Sequence, residues 1–251
     1  MNDQIIVAAD RALVFHRSDG SLIRQQAMPR PVRAVTTDSK GGVVVTFSDQ
    51  IARVSDSDAL ELVGESFGRN AALTGIAVAD DGRLFAADSG QRVIWRLDAL
   101  GNVLGSISPG GAGFTVPRAF FPITWQNGHL IVAEPGRHQI QRYTADGLLV
   151  GKWGGHSRTL EGFSGCCNPV AITSTPNAVI TAERGQVRVK KFDAAGKLAS
   201  QLAAPDQFAP LVVEEDGDLF GCEGGLLDVA ATNDGRVVVL DRSACEILVL
   251  S

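Results

Sequence analysis

One short pattern recurs along the chain, and it leaves little room for anything but sheet. Glycines in the pattern apolar-x-apolar-x-x-[Asp/Asn]-[Asp/Gly]-Gly anchor the copies. One block runs Thr74-Gly-Ile-Ala-Val-Ala-Asp-Asp-Gly82 and on to Asp88-Ser-Gly-Gln-Arg92, Asp98 and Gly101. A second runs Phe121-Pro-Ile-Thr-Trp-Gln-Asn-Gly128 and on to Glu134-Pro-Gly-Arg-His138 and Gly147. Blocks from Asn168 (through Glu183, Asp193 and Gly196) and from Leu227 (through Gly235 and Asp241) follow the same plan, and a weaker copy starts near Arg33 and reaches Gly41.

Each copy holds three or four runs rich in Val, Ile, Leu and aromatics, four to six residues long and broken by Asp-Gly, Asn-Gly or Ser-Gly turns. Such runs are strands, and nothing reads as a long helix. Four strands recurring every roughly 40 to 50 residues predict an all-β fold, a β-propeller whose sheets are blades around a central channel. The 251 residues accommodate six blades in a single domain spanning 1–251. Strands from both termini are expected to complete the ring, which protects edges that would otherwise pair with other chains. The stretch from Leu211 to Phe220, within a 205–225 region of unassigned role, does not fit the phase.

The blocks Gly75-Ile-Ala-Val to Asp88-Ser-Gly-Gln-Arg92-Val and Leu227-Asp228-Val-Ala-Ala to Asp241 resemble NHL repeats, and the resemblance covers most of the chain from about Arg33 onward. It implies NHL-like four-stranded blades. Proteins of this kind include extracellular interaction modules and a peptide-amidating lyase. The segment Glu161-Gly-Phe-Ser-Gly-Cys-Cys-Asn-Pro169 is similar to a bacterial NHL subgroup with an additional cysteine in this loop, where Ser164 stands here.

Composition excludes several classes. With 45% hydrophobic residues the chain can bury a sizeable core, and a net charge of −5 offers no basic stripe for nucleic acid. No apolar run approaches membrane-spanning length, and Met-Asn-Asp-Gln at the start lacks the charged and apolar parts of a signal sequence. The expected compartment is cytoplasmic, or periplasmic or secreted if an export signal has been removed.

Four cysteines carry the strongest functional signal. In a blade, the loop before the first strand and the loop between the second and third share one face. Cys166 and Cys167 fall just before a predicted first strand, and Cys222 falls five residues before Leu227, the next one. Cys245 lies in a loop between second and third strands, at the register of Arg92 and His138. Two neighbouring blades are thus expected to bring four thiols to one rim. Disulfides or half-buried thiols are one reading, although adjacent cysteines seldom bridge each other. The sharper reading is a thiolate-rich metal site for an iron-sulfur cluster or for zinc or copper, on a binding or redox-accessory scaffold. A protein or small-molecule partner would then engage the cysteine-bearing rim.

Asp88, Glu134, Glu183 and Asp241 recur at one register, after each second strand. Such acids cap turn amides or pair with a following arginine, as Asp88 with Arg92, Glu183 with Arg184 and Asp241 with Arg242. Alternatively they ring the channel mouth, where Glu134, Asn168 and Asp228 would hold calcium or another divalent ion for a hydrolase or lyase. That arrangement would resemble propeller lactonases and the amidating lyase. His138 is a weaker candidate ligand on the same rim, and His156 sits in the glycine-rich approach to the cysteine pair. A plain protein-interaction propeller with structural cysteines is the third reading.

Overall fold

Residues 4–55, 57, 59–117, 119–184, 186–208, 227–232 and 234–250 are described by the computed structural model. They form two compact units, Met1–Phe114 and Thr115–Ser251. The first holds β1 (Gln4–Ala9), β2 (Ala12–Arg17) and β3 (Leu22–Ala27) in one sheet, then β4 (Ala34–Thr37), β5 (Val43–Thr46), β6 (Ile51–Val54) and β7 (Leu60–Val63) in the next. Its third sheet is β8 (Leu73–Val78), β9 (Leu84–Asp88), β10 (Val93–Leu97) and β11 (Val103–Ile107).

The second unit repeats the plan. Its sheets are β12 (Ile123–Gln126), β13 (His129–Glu134), β14 (Gln139–Thr144) and β15 (Leu149–Gly154), then β16 (Ala171–Thr175), β17 (Ala178–Glu183), β18 (Arg188–Asp193) and β19 (Leu198–Ala203). The last is β20 (Leu227–Ala231), β21 (Val237–Asp241) and β22 (Glu246–Leu250). Every pairing is antiparallel and follows chain order, so each sheet is an up-and-down meander. Among the described residues, each terminus forms a three-stranded sheet of its own and the middle four sheets have four strands. These six sheets are the blades of a six-bladed β-propeller. No helix among the described residues is long and apolar enough to cross a membrane.

Within each unit the first strands lie side by side, β4 next to β8 and β16 next to both β12 and β20. Second strands are therefore covered on both faces. Their sequences are continuous apolar runs rather than alternating ones, and β5, β9 and β17 are buried along their whole length. Fourth strands carry the edge, and β15 alternates between exposed and half-buried positions. Between blades of the second unit, Ile131, Ala133, Ile140, Phe163, Ile172, Val179 and Phe192 form one cluster. Each aromatic or branched side chain buried this way contributes about 1.5–3 kcal/mol.

Asp-x-x-Gly turns set the register of the blades. Asp98 Oδ1 accepts the Leu100 and Asn102 N–H groups at 2.9 and 2.8 Å, and Asp193 does the same for Ala195 and Lys197, both at 2.9 Å. Gly101 and Gly196 close these turns at φ +92° and +83°. Gly101 also meets the neighbouring blade, because a Cβ there would lie 2.5 Å from Gly64 N and 2.9 Å from its Cα. Gly101→Ala is expected to cost roughly 2–4 kcal/mol through both strain and clash. Gly68→Ala has a similar φ of +85° with nothing within 4 Å, so strain alone predicts about 1–2 kcal/mol. Urea denaturation compares the two, and equal losses would show that the Gly64–Gly101 approach contributes nothing.

Candidate functional site

The recurring acids are structural staples. Asp88 is fully buried and accepts backbone N–H groups from Ala72, Gly90 and Gln91 at 2.9–3.0 Å, while its other oxygen takes the Trp95 indole N–H at 3.1 Å. Glu134, also buried, accepts the Thr115 N–H at 2.9 Å, the Gln141 amide and the Arg137 guanidinium at 3.1 Å. Behind it Tyr143 donates to Gln141 at 2.5 Å, and burial followed by the Glu134 charge pushes the phenol up to about 12. Asp241 caps its own turn through Ser243 and Ala244. Asp88 and Asp241 cap the turns that follow them, whereas Glu134 and Glu183 hold an amide of the segment entering their blade and pair with cations. The expected arginine pairing is corrected in two blades: Glu183 pairs with Arg188 and Lys190 while Arg184 serves the cysteine loop, and Asp88 is taken up by backbone amides, Gln91 and Trp95 rather than by Arg92.

The long loop between β15 and β16 folds over that network. Arg188 donates to Glu183 at 2.9 and 3.1 Å and to the Thr159 and Gly162 carbonyls, both at 3.2 Å. The fully buried Lys190 ammonium reaches Glu183 at 2.8 Å and the Leu160 and Gly162 carbonyls at 3.0 and 2.6 Å, beneath the Phe163 ring at 4.1 Å. Three acceptors match three donors. Desolvation pulls the Lys190 pKa below its ordinary value, and attraction to Glu183 opposes it. Neither cation was singled out from the sequence. The available signal was period-two alternation, which puts Arg188 and Lys190 on the same strand face as buried Phe192.

The loop then presents Cys166, exposed, and Cys167, buried, immediately before β16. Their Sγ atoms lie 3.0 Å apart. Adjacent side chains on extended chain point to opposite sides. Here Cys167 adopts φ +58°, which turns the chain so that both sulfurs meet. Among described non-glycine residues of this unit, Asn127, His138 and Cys245 also have positive φ, but all three sit in strand-connecting turns. Left-handed backbone at such a residue costs about 1–3 kcal/mol and persists only where surroundings impose it. The surroundings do so. Asn168, fully buried, donates to the Ser164 carbonyl and, at 2.8 Å, to that of Arg184, and accepts the Arg184 N–H at 2.9 Å. Arg184 Nε bonds the Cys166 carbonyl at 3.1 Å, and His138 Nε2 bonds that of Gly165 at 2.9 Å. His156 stacks edge-on against His138 with ring centroids 4.7 Å apart.

The remaining candidates stand elsewhere. Cys245 occupies the expected register, with φ +55° beside +60° at Arg92 and +57° at His138. It is exposed, and its sulfur lies 3.7 Å from the Arg242 carbonyl of its own turn. Among the described residues no group of three or more His, Cys, Asp or Glu side chains is placed to hold a metal ion, so Cys245 is not gathered to the Cys166–Cys167 pair. The expected four-thiol cluster is corrected to that extent; Cys222, like most of 205–225, lies outside the described residues. Nor do Asn168 and Glu134 face an open site, since their side chains are spent on loop backbone and the Gln141 and Arg137 side chains. Asp228 is solvent-accessible yet enclosed by protein mass. Desolvation raises its pKa against the pull of the Val229 N–H at 2.8 Å and of the Arg242 charge.

No family model matches this chain, and no curated protein matches it. Solved structures do. A catalytically inactive virginiamycin B lyase from Staphylococcus aureus with quinupristin superposes with a TM-score of 0.63 at 16% identity, covering 99% of this chain and 76% of that one. A protein of unknown function from Bacteroides caccae gives 0.65 at 10% identity over 96% and 83% of the two chains. The WD40 beta propeller domain of Doa1 gives 0.63 at 12% identity over 99% and 75%. At such identities the likeness establishes the propeller fold and nothing of chemistry.

Two measurements follow from this geometry. Glu183→Gln leaves Lys190 and Arg188 buried without a counter-charge, and a loss of about 3–5 kcal/mol is expected in urea denaturation. A loss within about 0.5 kcal/mol, the scale of a surface substitution, would refute the network. For Asp228 the folded-state pKa lies above the unfolded one, so the native state holds the proton more tightly and this contribution is lost as pH rises through the raised pKa. Wild type should therefore lose stability relative to Asp228→Asn between acidic and neutral pH, read as a growing difference in Tm. A constant difference would contradict the desolvated carboxyl.

Proposed function

We propose that the protein is an NHL-type propeller scaffold that captures a soft, thiophilic metal ion through Cys166 and Cys167. One observation carries the reading, the 3.0 Å separation of two sulfurs on a clamped loop. Thiolates select copper(I), zinc and iron-sulfur centres over harder ions, and a pre-gathered pair avoids the cost of bringing two side chains together. His138 braces the loop rather than ligating, its Nε2–H donating to the Gly165 carbonyl at 2.9 Å, as a hydrogen bond outside the ligand set does. An iron-sulfur cluster and a zinc site both draw on more protein ligands than this pair, so copper(I) fits these residues better. A protein or small-molecule partner would meet the ion on the same loop face.

The test is metal uptake by reduced protein offered copper(I) or zinc(II) alone. About one ion per chain is expected, with Cys166→Ser and Cys167→Ser each weakening binding roughly 100-fold and His138→Gln about 10-fold. Cys245→Ser should leave binding unchanged. Uptake that survives Cys166→Ser, or that depends on Cys245, would overturn the proposal.

A further inference from the structure

We infer that Cys166 and Cys167 form a reversible two-electron redox site, closing on each other as a vicinal disulfide when a hydroperoxide reaches Cys166. The inference concerns the same loop as the metal reading but needs the thiols alone, with no ion bound. Geometry supplies the first argument. A disulfide bond is about 2.05 Å long, so sulfurs 3.0 Å apart need to approach by only about 1 Å. The loop that sets this distance is clamped through Asn168, Arg184 and His138, and the left-handed turn at Cys167 already places both sulfurs on one side.

Exposure divides the roles. Cys166 is open to solvent, its backbone carbonyl held by Arg184 Nε, whereas Cys167 is buried. Reactive cysteines are accessible, and a redox pair needs a second thiol within reach. Cys166 therefore attacks the peroxide oxygen, breaking the O–O bond, taking one oxygen as sulfenic acid and releasing an alcohol, or water from hydrogen peroxide. The Cys167 sulfur then attacks the sulfenic sulfur, the S–S bond forms, and the oxygen leaves as water with the second thiol proton. Two thiols are oxidised by two electrons and one peroxide is reduced.

Strain makes the product a switch. Adjacent Cα atoms across a trans peptide are roughly 3.8 Å apart, below the usual disulfide span of about 4.4–6.8 Å. Strained, exposed disulfides have more oxidising potentials and are the labile ones. The reasoning that makes a vicinal pair a poor staple thus makes it a good redox element. Closure would also withdraw both sulfurs from a metal ion, so oxidation and metal capture should compete.

The experiment uses wild-type protein, reduced, freed of metal by chelator and treated with one equivalent of hydrogen peroxide. Trypsin cuts after Arg158 and Arg184, and the peptide between them holds Cys166 and Cys167 and no other cysteine. The expected product is that peptide lacking two hydrogens, restored by dithiothreitol and formed equally well in Cys245→Ser. A peptide that stays reduced, that proceeds to sulfinic acid without closing, or that links to one carrying Cys222 or Cys245 would overturn the inference. Closure without metal uptake would sink the metal reading alone. Metal uptake without closure would sink this one alone.

Discussion

Buried carboxylates at the ends of second strands are what the loop architecture depends on. Asp88, Glu134 and Glu183 each reach across to a backbone N–H of the segment entering their blade, at Ala72, Thr115 and Ser164. Those amides precede the first strand and have no ladder partner, and a buried donor left unpaired is costly. A charged acceptor makes the strongest hydrogen bond available to them. The same device recurs in three blades of different sequence because the problem is one of backbone, set by how a meander enters a sheet.

In the fifth blade the entering loop is long, and the device grows with it. Carbonyls at 159, 160 and 162 turn inward and need donors, which Arg188 and Lys190 supply while Glu183 balances their charge. Packing of Phe163 against the Lys190 ammonium and Phe192 seals the arrangement. A loop pinned rigidly against β18 results. That rigidity lets the segment after Phe163 impose a left-handed residue at Cys167 and hold two sulfurs in contact.

Local signals made most of the fold legible in the sequence. Apolar runs marked the strands, and Asp-Gly, Asn-Gly and Ser-Gly pairs marked the turns, because both report on a residue's immediate neighbours. The register of Cys245 with His138 and Arg92 was legible for the same reason, and the three share one backbone conformation. What could not be read was distance across a long loop. Nothing in Gly154-Gly-His156 says that the chain returns to stack His156 on His138, or that Glu183 prefers Arg188 over the adjacent Arg184. Cys166 and Cys167 lie in the loop before a first strand and Cys245 in a turn between second and third strands, as topology predicts. Loop path decided which of them meet, and Cys245 is held at its own turn.

The division of labour between strand and loop explains why chemistry concentrates where it does. Second strands are covered on both faces, so an unpaired polar side chain there is costly: Thr46 donates to the Leu73 carbonyl, while Thr181 of β17 is buried with no hydrogen-bond partner among the described residues. Turns after second strands and loops before first strands carry side chains left over for chemistry, the exposed Cys245 and Cys166 among them. The left-handed position before the third strand of three blades shows the consequence, carrying Arg92, His138 and Cys245 on the same backbone geometry. A scaffold of this kind fixes geometry through main-chain hydrogen bonds and leaves residue identity open at those positions. That is why likeness to a lyase and to a WD40 domain at 16% and 12% identity can coexist in one fold, and why the function of this chain has to be argued from the loop that carries Cys166 and Cys167.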